Sequence, residues 1–390
     1  MEAGLTGFDW VATDPPNGTG SGMSLSFAII GGGWYGCHIA ASFTALGFNV
    51  TIFEQHHRLL HEASGNNQFR LHLGFHYPRH YGTRMQSREG FSRFVERYPG
   101  LSSPVAENLY AVPRGDSLID FLTYKLIMTA SGIEFSELPE LPAILANIEG
   151  CLRTPERVLL LDKARRYFTQ RLSPYLVLDH RVESIEERGE SVYVDSKRFD
   201  FVIDATWGHF LKPPIDAFYE PTMLLYYEAN TEFPAVTLVD GPLCSVYPTE
   251  DPTLYTLSSV SHTPLGHFDN AAEARAALGR VGSELVANKV MQMEALISRY
   301  VPSFREVFRF VGPQLAVKTK PIGSFDDRSC YVYKEGRRFS VMSGKIDTIF
   351  FSVERILSLI ESTTEESIRN EPSGLRAEIP DFGALPRSVP

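Results

Sequence analysis

Apolar and polar positions change rhythm several times along this chain, and the first clear segment is Leu25-Ser-Phe-Ala-Ile-Ile30. A short apolar run that ends in glycines predicts a buried parallel strand. From Trp34 to Leu46 the spacing turns helical, with Gly36 and Ala40 small on one face, Ile39, Phe43 and Leu46 apolar, and Gly47 as the stop. Asn49-Val-Thr-Ile-Phe53 predicts a second strand, closed by Glu54. These three segments make one β-α-β unit.

The stretch from His56 to His80 is polar, histidine-rich and broken by glycine, which predicts a long functional loop with a short strand. Helices are expected from Tyr81 to Tyr98, from Ser117 to Ala130 and from Val158 to Leu172. Strands are expected at Asn108 to Pro113, Tyr175 to Leu178, Val182 to Glu186 and Ser191 to Val194, with a buried parallel one from Phe199 to Ala205. Between Pro221 and His267 the composition becomes β-branched and aromatic. Tyr226-Tyr-Glu, Ala235 to Val239, Cys244 to Tyr247 and Leu254 to Leu257 read there as antiparallel strands of a second domain. A helix or helix pair follows from Asn270 to Tyr300, then a strand from Phe339 to Met342 and a helix from Thr348 to Ile360. Residues 1–22 read as a flexible extension and residues 362–390 as a mobile tail, because neither has much to bury.

Composition narrows the partners. The 390 residues suffice for two domains, and 47 acidic against 37 basic residues give a net charge of −10. That field argues against a general nucleic-acid binder, and no apolar run is long enough for a membrane span. Cys37, Cys151, Cys244 and Cys330 lie far apart without metal spacing, so reduced thiols and a cytoplasmic setting are expected. The N-terminal residues lack the apolar core of a secretory signal.

The strongest chemical signal is Gly31-Gly-Gly33-Trp-Tyr-Gly36, a G-x-G-x-x-G that follows a strand and opens a helix. Its glycines permit a tight turn, close approach of a pyrophosphate, and tight helix–strand packing, while the helix N-terminus supplies positive potential. Glu54 stands at the end of the second strand, where a carboxylate accepts ribose hydroxyls. The ligand is therefore an adenine dinucleotide, FAD or NAD.

With these motifs in place, the chain resembles the D-amino-acid oxidase-like superfamily of FAD-dependent oxidoreductases. Three further stretches carry the likeness. Ala63-Ser-Gly-Asn-Asn-Gln-Phe-Arg-Leu-His-Leu-Gly-Phe-His-Tyr-Pro78 looks like the loop and strand that run past the flavin. Asp204-Ala-Thr-Trp-Gly208 is similar to the turn under the adenine side, and Ser343-Gly-Lys-Ile-Asp-Thr348 to the C-terminal turn at the pyrimidine. The pair His72-x-Gly74 matches the hydroxyacid and glycerophosphate branch. The resemblance implies FAD as cofactor, contacted by Gly31, Gly33, Trp34, Tyr35, Gly36, Glu54, Ser64, Asn66, Asn67, Arg70, Leu71, Val182, Ala205, Thr206, Trp207, Gly344, Lys345, Ile346 and Thr348. It implies an α/β fold in which residues 23–105, 150–220 and 315–361 form a Rossmann-like FAD-binding domain. Residues 106–149 and 221–314 would form an antiparallel-sheet α+β substrate domain. Two departures point to a specialised relative: Lys318-Thr-Lys-Pro321 replaces the family's Gly-x-Arg-Pro, and Ser343-Gly-Lys345 replaces its Gly-His-x-x-Gly.

Hydride transfer to a flavin needs a base for the adjacent O–H, or a neutral amine, and positive potential near the pyrimidine edge. His72 and His76 fall on one face if their segment is extended, and Lys345 precedes a helix N-terminus, so these three are the catalytic candidates. Arg79, with Arg84 and Arg88 behind it at helical spacing, is a candidate for a substrate anion, and Tyr247 and Lys320 for the substrate pocket. The expected activity is oxidation of a CH–OH or CH–NH bond in a small polar substrate, with oxygen or another acceptor taking the electrons. The alternatives are an FAD enzyme without net redox, of the sugar-nucleotide mutase type, and a flavin-carrying scaffold.

Overall fold

A computed structural model of the chain describes residues 24–323, 327–342 and 344–370. The segments expected to be a flexible N-terminal extension, and the tail beyond Asn370, lie outside the described residues. Two large sheets organise the molecule.

The first begins with β1 (Ser26–Ile30), α1 (Trp34–Ala45) and β2 (Asn49–Phe53). β1 is covered on both faces: Phe27, Ala28 and Ile29 are fully buried, as the apolar run requires of a central parallel strand. β2 and the strand Phe201–Asp204 flank it in parallel register. Leu176–Val177, Arg338–Met342 and an antiparallel edge strand, Tyr331–Glu335, complete six strands. The Phe27 ring packs edge-on against Phe43 at 4.7 Å and stacks on Phe201 at 5.6 Å, fastening α1 to the sheet. Burial of one such ring contributes about 1.5–3 kcal/mol.

The second sheet has eight strands, in the order Phe308–Pro321, Ala217–Ala229, Leu254–Ser259, Cys244–Pro248, Ala235–Leu238, Asn108–Pro113, Ile148–Arg153 and Ser136–Glu137. It is antiparallel except for one parallel pair, Ala235–Leu238 with Asn108–Pro113, which corrects the purely antiparallel expectation. The strand around Tyr226 is the middle of a 13-residue strand, and its 14-residue partner Phe308–Pro321 has no counterpart in the expected elements. Both belong to this sheet, so the expected domain limits at residues 220 and 315 fall inside single strands.

Other differences have local causes. Residues 158–172 divide into a strand, Arg157–Leu159, and a helix, Leu161–Leu172, because the first residues pair with Arg70–Leu71 and Ser102–Pro104. The helix expected from Ser117 starts at Phe121, where the Asp120 carboxylate accepts from Thr123 N at 2.8 Å. The strand expected at Val182 to Glu186 lies at Ile185–Arg188. The segment from Asn270 forms two helices, Ala271–Leu278 and Ser283–Ile297, and the last helix extends through Asn370, past the expected start of the tail. The four cysteines are free thiols, three of them buried.

Candidate functional site

The turn between β1 and α1 is built for close approach. A Cβ on Gly36 would lie 1.9 Å from the Gly31 carbonyl oxygen, so only a hydrogen lets the helix settle on the turn. Trp34 N donates to Ser64 Oγ at 3.2 Å, joining the turn to the loop that follows β2. The Glu54 carboxylate is buried and fixed, accepting from Gly32 N at 2.7 Å and from His56 N at 2.9 Å.

Two cavities meet here. A smaller one of about 150 Å³ is lined by Gly31, Glu54, Val182 and Thr206. A larger one of about 1000 Å³ holds Tyr35, Arg70, His72, His76, Gly344, Lys345 and Ile346 in its wall. Gly33, Ala63, Ser64, Ala205 and Trp207 line both, so one elongated ligand can run from the first into the second. A side chain on Gly33 would enter this shared stretch, its Cβ lying 2.8 Å from Ser64 Oγ. A dinucleotide fits these residues: glycine backbone for the phosphates, an oriented carboxylate for a ribose, and a wide chamber for a ring system.

Several of the expected contact residues also serve the protein. Asn66 Nδ2 donates to the carbonyls of His61 and Glu62, and Asn67 Nδ2 to those of Ala63 and Ser64, so both side chains fold the loop. Thr206 Oγ1 donates to Asp204 Oδ1 at 2.6 Å and shapes the turn it lines. The Trp34 indole packs between Phe94 and Phe168, leaving only its backbone at the turn. Leu71 is fully buried in the core and lines neither cavity with its side chain. Tyr35 OH donates to Lys345 O at 2.6 Å and shares a hydrogen bond with Thr348 Oγ1, tying α1 to the C-terminal turn.

The large chamber gathers the chemistry. The segment after Arg70–Leu71 is not extended as expected. Gly74 adopts φ +113°, which other residues rarely tolerate, and turns the chain back. That turn brings His72 and His76 together, ring centroids 5.8 Å apart, both in the cavity wall. His72 Nε2 lies 3.2 Å from Lys345 Nζ, which sits over the Tyr77 ring at 4.9 Å. When Lys345 is an ammonium it donates, so Nε2 accepts and the proton of neutral His72 lies on Nδ1. Burial and then the Lys345 charge hold both imidazoles well below the ordinary histidine range. Burial likewise pulls Lys345 far below the usual lysine range and pushes the neighbouring Asp347 carboxyl up.

Behind His72 stands Glu156, fully enclosed and not singled out by sequence. Its Oε1 accepts from Leu73 N at 2.8 Å and lies 3.7 Å from His72 Nδ1, while Oε2 accepts from Tyr110 OH at 2.7 Å. Tyr110 OH in turn accepts from Arg70 Nη1, whose guanidinium covers the Tyr247 ring at 4.2 Å. Tyr247 thus supports Arg70 and does not line the cavity, against its expected place in the substrate pocket. His72 Nδ1, His76 Nδ1 and Arg70 Nε are buried without a hydrogen-bond partner, as in a chamber shaped for a polar ligand.

Arg79 lines the cavity but pairs with Asp240. Arg84 and Arg88 are structural, donating to Ser131 Oγ at 2.7 Å and to Ser131 O at 2.6 Å. Lys320 pairs with Glu220 at 2.6 Å. Lys318 and Arg328 also face the cavity, and no carboxylate of the described residues lies within ion-pair distance of Lys318. The sequence signal for Lys318 was present in Lys318-Thr-Lys-Pro321; Arg328 and Glu156 carried none.

Residues 26–313 match the family described as FAD dependent oxidoreductase, DAO. The chain is 62% identical over 336 residues to FAD-dependent monooxygenase FPY4 of Fusarium mangiferae, covering 86% of this chain and 91% of that protein. It is 30% identical over 373 residues to FAD-dependent monooxygenase kojA of Aspergillus flavus, covering 86% of each. Among solved structures, FAD-bound L-alpha-glycerophosphate oxidase from Mycoplasma pneumoniae superposes with TM-score 0.65 at 15% identity, over 86% of this chain and 95% of that one.

Proposed function

Because the chain belongs to the DAO family of FAD-dependent oxidoreductases, we propose that it oxidises a CH–OH or CH–NH bond of a substrate bound beside His72, His76 and Lys345. FAD, when bound, supplies a two-electron acceptor for the hydride. The observation that carries this reading is the enclosed Lys345–His72–Glu156 chain, which opens on the large chamber. The substrate hydroxyl takes the place of Lys345 Nζ at His72 Nε2, that nitrogen receives the hydroxyl proton as hydride leaves the adjacent carbon, and Glu156 faces Nδ1 on the opposite ring edge and stabilises the imidazolium that results. In its protonated form Lys345 places positive charge at the chamber wall, and Tyr35 and Thr348 fix the turn that carries it. The non-redox alternative finds no support in this membership. Among the described residues no helix is long and apolar enough to cross a membrane.

The names of the two curated relatives favour a second reading, in which an oxygen atom from O₂ enters the product. Anaerobic mixing separates the two. Under dehydrogenation, substrate alone bleaches the oxidised flavin band. Under monooxygenation, bleaching requires a separate reductant, and ¹⁸O₂ labels the product.

The pH profile follows from the site. A depressed imidazole pKa means His72 stays neutral down through the ordinary histidine range near 6.5 and gains a proton only in more acidic solution. Stopped-flow flavin reduction should therefore stay level through pH 6.5 and fall only below it. Because burial lowers Lys345, the rate should also fall on the alkaline side well before an ordinary lysine titrates. A midpoint at 6.5 would contradict the enclosed imidazole.

Glu54→Ala should weaken FAD retention by about 1.5–3 kcal/mol, roughly 10- to 150-fold in Kd, by removing a charge-assisted acceptor for ribose. Titration of apoprotein with FAD measures this directly, and unchanged affinity would remove Glu54 from the ribose.

A further inference from the structure

We propose that the substrate is an amphiphile: an anionic head meets Lys318 and Arg328, and an apolar chain runs out to the cavity mouth at Leu118, Leu243 and Val260. This rests on the dehydrogenation reading and replaces its expectation of a small polar substrate. The cavity of about 1000 Å³ serves the dinucleotide's ring system and the substrate together, and its lining includes both the cations Lys318 and Arg328 and the aliphatic Leu118, Leu243 and Val260.

The charged part has cations to spare. Lys320 and Arg79 are matched by Glu220 and Asp240, whereas Lys318 has no carboxylate partner among the described residues and the Arg328 guanidinium donates to a backbone carbonyl, Asp327 O, at 2.7 Å. Lys318 feels the cost, since burial, with Lys320 adding to it, lowers it to about 8. A single carboxylate or phosphate head would offset both.

Exposed aliphatic side chains also line the cavity. Leu118 is 61% exposed, Val260 59% and Ile322 62%, and all three line this one cavity. Exposed aliphatic residues are unremarkable singly, but grouped at the entrance of a cavity they mark a binding surface. Backbone contacts place Leu118 and Val260 against one loop, residues 240–243. Leu118 N donates to Asp240 O at 2.8 Å, and Val260 N to Leu243 O at 2.8 Å. Gly241 lies against Leu118, where a Cβ would approach Leu118 Cγ to 3.1 Å. Such aliphatic surface stabilises methylenes.

Straight-chain alkanoates from butanoate to dodecanoate, each below its micelle concentration, test this by perturbing the absorbance of the bound flavin in the holoprotein. Kd should fall about three- to fourfold per added methylene until the chain reaches the mouth. Leu118→Asp with Val260→Asp should flatten that dependence for the long members and leave butanoate unchanged. Lys318→Met should weaken every length by a similar factor. Length-independent binding, no binding, or an unchanged slope in the double variant would overturn the proposal. The dehydrogenation reading fails separately: 2-hydroxyalkanoates of every length would leave the flavin oxidised under anaerobic conditions while alkanoates still bound with the expected slope.

Discussion

His72→Gln should yield a yellow, FAD-loaded protein whose flavin is reduced by substrate about 10²–10⁴-fold more slowly. The range is that for removing a positioned base. Gln retains an acceptor for Lys345 Nζ, so the chamber keeps its shape, but an amide has no useful affinity for a proton. His76→Gln separates the two roles, because His76 lines the same wall without the Lys345 contact. Stopped-flow reduction and the flavin spectrum, measured together, check the outcome. Wild-type rates in both variants would assign catalysis to positioning alone, as expected for an amine that enters already deprotonated.

Gly36→Val should give no yellow protein at all. The new Cβ would lie 1.9 Å from the Gly31 carbonyl, and backbone on both sides leaves no flexible end to move. Either α1 lifts from β1, opening the core around Phe27 and Phe43, or the phosphate turn deforms. Each loses both stability and the cradle. Soluble expression and the absorbance ratio of flavin to protein measure it, and a fully loaded Gly36→Val protein would refute the packing described.

The parts legible in sequence were those set by neighbouring residues. The buried run, the glycine spacing and the terminal carboxylate of β1–α1–β2 act within one β-α-β unit, and their physics is local. The strand Phe308–Pro321 was hidden because Gly312 and Pro313 read as breaks; at the edge of its sheet, a proline costs the ladder little. Its partner strand was read only at Tyr226 for the same reason, Pro221 interrupting the pattern. His72 and His76 were found by an argument that assumed an extended chain, and they converge through a different cause, the left-handed turn at Gly74. Glu156 was missed because Thr-Pro-Glu-Arg reads as a solvated turn, and only the tertiary fold encloses it between Leu73, Tyr110 and His72. Tyr247 failed in the opposite sense: its aromatic ring reads as pocket wall until Arg70 is seen to cover it.

The hydrogen bonds from Tyr35 to Lys345 and Thr348 span 310 and 313 residues of chain. The first helix therefore closes against a turn made more than three hundred residues later, and β1's neighbour Phe201–Asp204 pairs on its other side with Arg338–Met342. The cofactor cradle is complete only once the turn at Lys345 has been made. A truncation anywhere before Lys345 should therefore abolish flavin uptake as fully as one near the start.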